Sequence, residues 1–89
     1  MIKREYEIIN VKGLHARASA KFVEVVDAHS ARADVSKDGM EASGDSIMGL
    51  LMLAAEKGST IEVTITGDDE EALADALGVL IGDYFGEGM

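Results

Sequence analysis

The segment Thr60-Ile61-Glu62-Val63-Thr64-Ile65-Thr66 alternates without a break between β-branched apolar and polar side chains. No other stretch so restricts what the chain can fold into. A period of two puts Ile61, Val63 and Ile65 on one face and Glu62, Thr64 and Thr66 on the other, the pattern of a strand with one buried face. Such a strand needs neighbours to pair its backbone and a second layer to cover its apolar side. Neighbours are present in the pattern. Ile2 to Ile9 alternates, with Ile2, Tyr6 and Ile8 against Lys3, Glu5 and Glu7. Ala31 to Lys37 does the same through Ala31, Ala33 and Val35. Asp38-Gly39 then supplies two residues that tolerate positive φ, a tight hairpin leading into a return strand over Met40 to Ser43.

Between the strands the period changes. From Ala16 to about His29, Ala18, Phe22, Val25 and Val26 fall at helical spacing, with Arg17, Lys21, Glu24 and Asp27 opposite. This is an amphipathic helix with His15 at its N-cap. Ser46 caps a second, short helix whose Leu50, Leu53 and Ala54 face inward and whose Ile47, Met48 and Leu51 point outward, ended by Lys57-Gly58. Asp68-Asp69-Glu70-Glu71 sets negative charge at the start of a third helix. Its stripe runs through Leu73, Leu77, Leu80, Ile81 and Tyr84 to about Phe85, and Gly86 to Met89 are expected to fray. The order βαββαβα, with one-sided strands and helices, predicts an α+β fold: a two-layer open-faced sandwich, its antiparallel sheet of four strands covered by three helices on one face. Residues 1–89 are read as a single domain.

Composition narrows the function. A chain of 89 residues is too small to enclose a deep active site, so any site is expected at the surface. The formal net charge of −9, from 17 acidic against 8 basic residues, argues against nucleic acid as a partner. With no cysteine and only two histidines there is little to build a metal centre, and none is expected. The N-terminal residues run straight into charged alternation and no apolar run approaches membrane-spanning length, so a cytoplasmic protein without membrane insertion is expected.

The chemistry concentrates at Gly13-Leu14-His15-Ala16-Arg17-Ala18-Ser19. A helix start leaves backbone N–H groups unpaired and carries partial positive charge. An anionic group on the His15 ring would meet those donors near Ala16 and Ala18 and the Arg17 guanidinium. A lone His-x-Arg is usually just a helix-flanking pair, and His29, with no accompanying acid, base or ligand, is read as structural. Here the motif does not stand alone. Together with Ser46-Ile47-Met48-Gly49, at this separation and on this element order, it resembles HPr, the histidine-containing phosphocarrier family of the phosphoenolpyruvate-dependent phosphotransferase system, over essentially the whole chain.

The resemblance implies a sheet in the order first, fourth, second, third strand. It also implies a phosphoryl acceptor at His15, through Nδ1, with Arg17 neutralising the transferred phosphate and the backbone of Ala16 and Ala18 binding it. The donor would be a phosphorylated enzyme I-type protein and the acceptor an enzyme IIA-type protein. The chain would be a monomeric relay without cofactor, not a turnover enzyme. Ser46 corresponds to the family's regulatory serine, a substrate of HPr kinase/phosphorylase, and Ile47, Met48 and Leu51 to its partner-docking patch. Ala18 stands where the family usually has proline, and Glu24, Asp27 and Asp45 lie near a face that carries lysines in other members. The run Leu50-Leu51-Met52-Leu53 with Lys57-Gly58 and Ile61-Glu62-Val63 is also similar to the nitrogen-related branch, so both sugar transport and nitrogen regulation stay open. A different reading comes from Asp45-Ser46-Ile47 at a helix start in an acidic chain: an acyl carrier protein with its prosthetic arm on Ser46. Acyl carriers are helical bundles, and the β alternation speaks against one.

Overall fold

The computed structural model describes residues 1–89. Strand β1 (Ile2–Glu7) is followed by helix α1 (Ala16–Asp27), strands β2 (Ala31–Lys37) and β3 (Met40–Ser43), helix α2 (Ile47–Met52), strand β4 (Thr60–Gly67), helix α3 (Glu70–Gly82) and a 3₁₀ turn over Tyr84–Gly86. The sheet has four strands in the order β1-β4-β2-β3, all antiparallel. The expected α+β open-faced sandwich and its strand order are therefore observed.

The perfect alternation of β4 explains its central place. Register sets Val63 between Arg4 of β1 and Val35 of β2, and Ile65 between Ile2 and Ala33. Ile61, Val63 and Ile65 are fully buried while Glu62 and Thr66 stay exposed. Against this apolar face pack Phe22 and Val26 of α1, Leu50 of α2 and Leu73, Leu77 and Ile81 of α3, giving a core of 18 buried residues. Tyr6 reaches from β1 to α3, its hydroxyl donating to the Ala74 carbonyl at 2.7 Å. Burial raises the pKa of that phenol; Arg4 opposes the shift and Asp75 adds to it. The Asp38-Gly39 hairpin forms as expected, with φ of 51° and 83°, the left-handed pair of a type I′ turn.

Three expectations fail in instructive ways. Helix α2 stops at Met52, well before Lys57-Gly58, because Ala54 takes up φ 52° and turns the chain. That turn leaves Ala54 exposed and sends Ala55 into the core in its place. Helix α3 ends at Gly82, and Tyr84 and Phe85 adopt φ of 57° and 53°, so the stripe breaks: Tyr84 is exposed and Phe85 is fully buried. The tail after Phe85 is tied back rather than frayed. Its Met89 carbonyl accepts from the Val11 N–H at 3.2 Å, and Lys21 Nζ donates to the Phe85 carbonyl at 2.6 Å.

Candidate functional site

His15 is held between two fixed points. Before it, Gly13 takes φ 66° and its neighbour Leu14 donates its N–H to the Ala55 carbonyl at 2.8 Å, pinning the loop to the segment after α2. No side chain fits at Gly13: a Cβ would lie 2.5 Å from that same carbonyl oxygen and 2.8 Å from Glu56 Cα. After it, α1 begins. His15 is the N-cap in extended conformation, and its side chain makes no capping hydrogen bond. The helical bonding starts with the Ser19 N–H on the His15 carbonyl at 2.8 Å, so the N–H groups of Ala16, Arg17 and Ala18 have no partner within the helix. Alanine at position 18 does not disturb the start: Ala18 is fully buried, and the Ser19 hydroxyl donates to the Leu14 carbonyl at 3.1 Å.

The side chain of His15 is half-buried, and its Nε2 meets a carboxylate oxygen of Glu87. The other Glu87 oxygen accepts from Asn10 Nδ2 at 2.9 Å. Burial acts to raise the Glu87 pKa. It is outweighed by the Asn10 and His15 hydrogen bonds and by the charges of His15 and Lys12, which hold the carboxyl below its ordinary value. Beside this group lies a basin lined by Lys12, Arg17, Lys21 and Glu87. Three cations and one acid gather there, in a chain whose net charge is −9. The site's electrostatics thus run against those of the whole molecule, and they suit an anion.

Leu51 lines a second depression together with Lys12, Leu14, His15 and Glu56, so the expected docking residue does lie beside the histidine. Ile47 and Met48 are exposed on the first turn of α2. Ser46 caps that helix, its hydroxyl accepting from the Gly49 N–H at 3.0 Å. Asp27 and Asp45 line a different hollow, with His29 and Arg32. Asp27 ends a helix of 12 residues that starts at the histidine, about 18 Å of axis away, too far for its charge to act strongly at His15. His29 Nδ1 contacts the Val25 carbonyl at 2.7 Å and serves the end of α1. No group of three or more His, Cys, Asp or Glu side chains is arranged to hold a metal ion, and no helix is long and apolar enough to cross a membrane.

Sequence reasoning missed the tail, and with it Glu87 and Asn10. One signal was available. Phe85 is a large apolar residue standing just beyond the last helix, and it needed a place in the core.

A histidine at an open helix start, with unpaired backbone donors beside it and cations in the adjoining basin, is an arrangement suited to an anionic group at a surface imidazole. The profile described as "PTS HPr component phosphorylation site" matches residues 2–83. The phosphocarrier protein HPr of Neisseria meningitidis serogroup A is 49% identical over 88 residues, 99% of each chain. A crystal structure of HPr-C-His from Thermoanaerobacter tengcongensis superposes with a TM-score of 0.94 at 38% identity, covering 100% of both chains. A crystal structure of an HPr dimer from the same organism matches at a TM-score of 0.77 and 39% identity, over 98% of this chain and 100% of that one. The chain belongs to the HPr family of phosphocarrier proteins. The acyl carrier alternative fails on the same ground, since a four-stranded sheet stands where a helical bundle was required.

Proposed function

We propose that the protein accepts a phosphoryl group on His15 from a phosphorylated enzyme I-type protein and passes it to an enzyme IIA-type protein. The observation that carries this reading is His15 at the uncapped start of α1, with the unpaired N–H groups of Ala16, Arg17 and Ala18 beside it. Nε2 is engaged by Glu87, so Nδ1 is the nitrogen left to react. A neutral imidazole is nucleophilic near neutral pH, and a phosphoryl group on it stays reactive enough to be handed on. Arg17 and the helix-start amides supply charge and position, the main contributions a protein makes to this reaction. The chemistry needs no metal or nucleotide in this chain. One group is taken up and given away per cycle, so the protein acts as a stoichiometric carrier and not as a turnover enzyme.

Ile47, Met48 and Leu51 form the docking patch for both partners, a reading supported by the exposure of Ile47 and Met48 on α2 and by the place of Leu51 in the histidine depression. Ser46 is the regulatory position, open to an HPr kinase/phosphorylase. Its place at the cap means that a phosphate there would sit on helix-start amides and leave α2 intact. A cytoplasmic monomer built as one domain over residues 1–89 completes the reading; the acceptor protein decides between sugar transport and nitrogen regulation. The test is intact mass after incubation with phosphoenolpyruvate and enzyme I. Wild type gains one acid-labile phosphoryl group and His15→Ala gains none. Undiminished labelling of His15→Ala would remove His15 from the mechanism.

A further inference from the structure

The tail that carries Glu87 is fastened on both sides of that residue. Upstream, Phe85 is fully buried and its carbonyl accepts from Lys21 Nζ at 2.6 Å; downstream, Met89 accepts from the Val11 N–H at 3.2 Å. The Glu87 N–H itself donates to the Tyr84 carbonyl at 2.9 Å. Asn10 adds a third tie. Its side chain is fully buried, and Nδ2 donates both to Glu87 Oε1 at 2.9 Å and to the Gly13 carbonyl at 2.8 Å. Both of those partners only accept, so the orientation of the amide is forced. One buried side chain thereby locks the carboxylate to the loop that presents His15.

A carboxylate can only accept from an imidazole N–H, so the contact with Nε2 places the ring proton there and the lone pair on Nδ1. We propose that Glu87 is a positioning residue of the phosphoryl relay, holding the proton on His15 Nε2 in both the free and the phosphorylated ring. The proposal rests on His15 being the phosphoryl acceptor. In the accepting step the Nδ1 lone pair forms the bond to phosphorus while the bond from phosphorus to the donor's imidazole nitrogen breaks, its electron pair returning to the donor ring. The His15 ring becomes cationic, the donor ring becomes neutral, and no proton changes hands. Glu87 then faces a full positive charge across Nε2–H, which stabilises the phosphorylated ring as an imidazolium. The onward step reverses this: the electron pair of the Nδ1–phosphorus bond returns to a cationic ring, a far better leaving group than a ring that has lost its Nε2 proton. The other charged groups around the ring are Lys12 and Glu56, which line its depression, and Arg17 and Lys21, which line the adjoining basin. Glu87 is the group whose carboxylate touches the ring nitrogen.

The test compares wild type, Glu87→Gln, Glu87→Ala and, as a charge control without ring contact, Glu56→Gln. Nitrogen-resolved NMR of the His15 ring gives the first readout and needs no partner protein. Wild type and Glu56→Gln should show a slowly exchanging Nε2–H that Glu87→Ala loses. The second readout is the rate of onward transfer to an enzyme IIA-type acceptor as a function of pH. In Glu87→Gln the alkaline limb should move toward acid, with transfer roughly tenfold slower at alkaline pH, the loss expected when an opposite charge in hydrogen-bond reach of the ring is removed. Superimposable pH profiles for wild type and Glu87→Gln, with Nε2–H exchange unchanged in Glu87→Ala, would overturn the proposal. If wild type acquires no phosphoryl group on His15 at all, the carrier reading itself falls and takes this role with it. That outcome is distinct from a labelled protein indifferent to Glu87.

Discussion

Replacing Gly13 with alanine tests whether the loop before His15 is built on close backbone approach. Two costs arise there and can be separated. The first is conformational, since φ 66° puts a Cβ in a region that costs an L-residue about 1–2 kcal/mol, offset in part by about 0.4–1 kcal/mol from a stiffer unfolded chain. Gly39 shares only this cost: its φ is 83° and nothing lies within 4 Å of a Cβ added to it. The second is steric, because at Gly13 the new carbon would stand 2.5 Å from the Ala55 carbonyl oxygen, a backbone atom that cannot rotate away. Relieving such an overlap costs about 1–3 kcal/mol in backbone displacement. Gly39→Ala should therefore lose about 1 kcal/mol or less, and Gly13→Ala about 2–4 kcal/mol. Urea unfolding followed by circular dichroism reads both, with an unchanged slope confirming that the unfolded states are alike. Equal losses in the two variants would refute the steric argument.

Arg17→Ala should leave the unfolding midpoint almost unchanged, because an exposed guanidinium contributes little to stability, while phosphoryl acceptance slows by about tenfold or more, read in a stopped transfer assay. Ser46→Asp should keep the cap on α2, and with it thermal stability, yet lower the rate of His15 phosphorylation at low salt and recover as salt screens the added charge. Because the Glu87 carboxyl is held below its ordinary value of 4.5, its contribution to stability is present above that value and lost as pH falls through the folded value. The stability gap between wild type and Glu87→Gln should accordingly close on acidification, and a gap that widened would reverse the sign of the argument.

What the sequence revealed of this molecule, it revealed through period. The unbroken alternation of Thr60 to Thr66 marked the strand that lies between β1 and β2, and Asp38-Gly39 marked the hairpin from β2 to β3 because few residue pairs accept two positive φ values in succession. The helix start at His15 was legible for the same reason, the change from period two to period 3.6. The misreadings share a cause as well. Ala54, Tyr84 and Phe85 all carry a left-handed backbone that no glycine announces; the turn at Ala54 puts Ala55 in the expected buried place, and the turn at Tyr84 and Phe85 leaves Tyr84 exposed and Phe85 buried. Local propensity argues against that conformation; burial of Ala55 and Phe85 outweighs it. The contact of Glu87 with His15 spans 72 residues of sequence, and no local pattern connects the two.

The central claim is that a phosphoryl group is carried on Nδ1 of His15. It is tested most directly by phosphorus–nitrogen correlation NMR on protein labelled in its histidine rings and phosphorylated by phosphoenolpyruvate and enzyme I. The account predicts one phosphorus coupled to Nδ1 of His15, with Nε2 still bearing its proton. Phosphorus coupled to Nε2, or found as an acid-stable ester on Ser46 with the His15 ring unmodified, would contradict it.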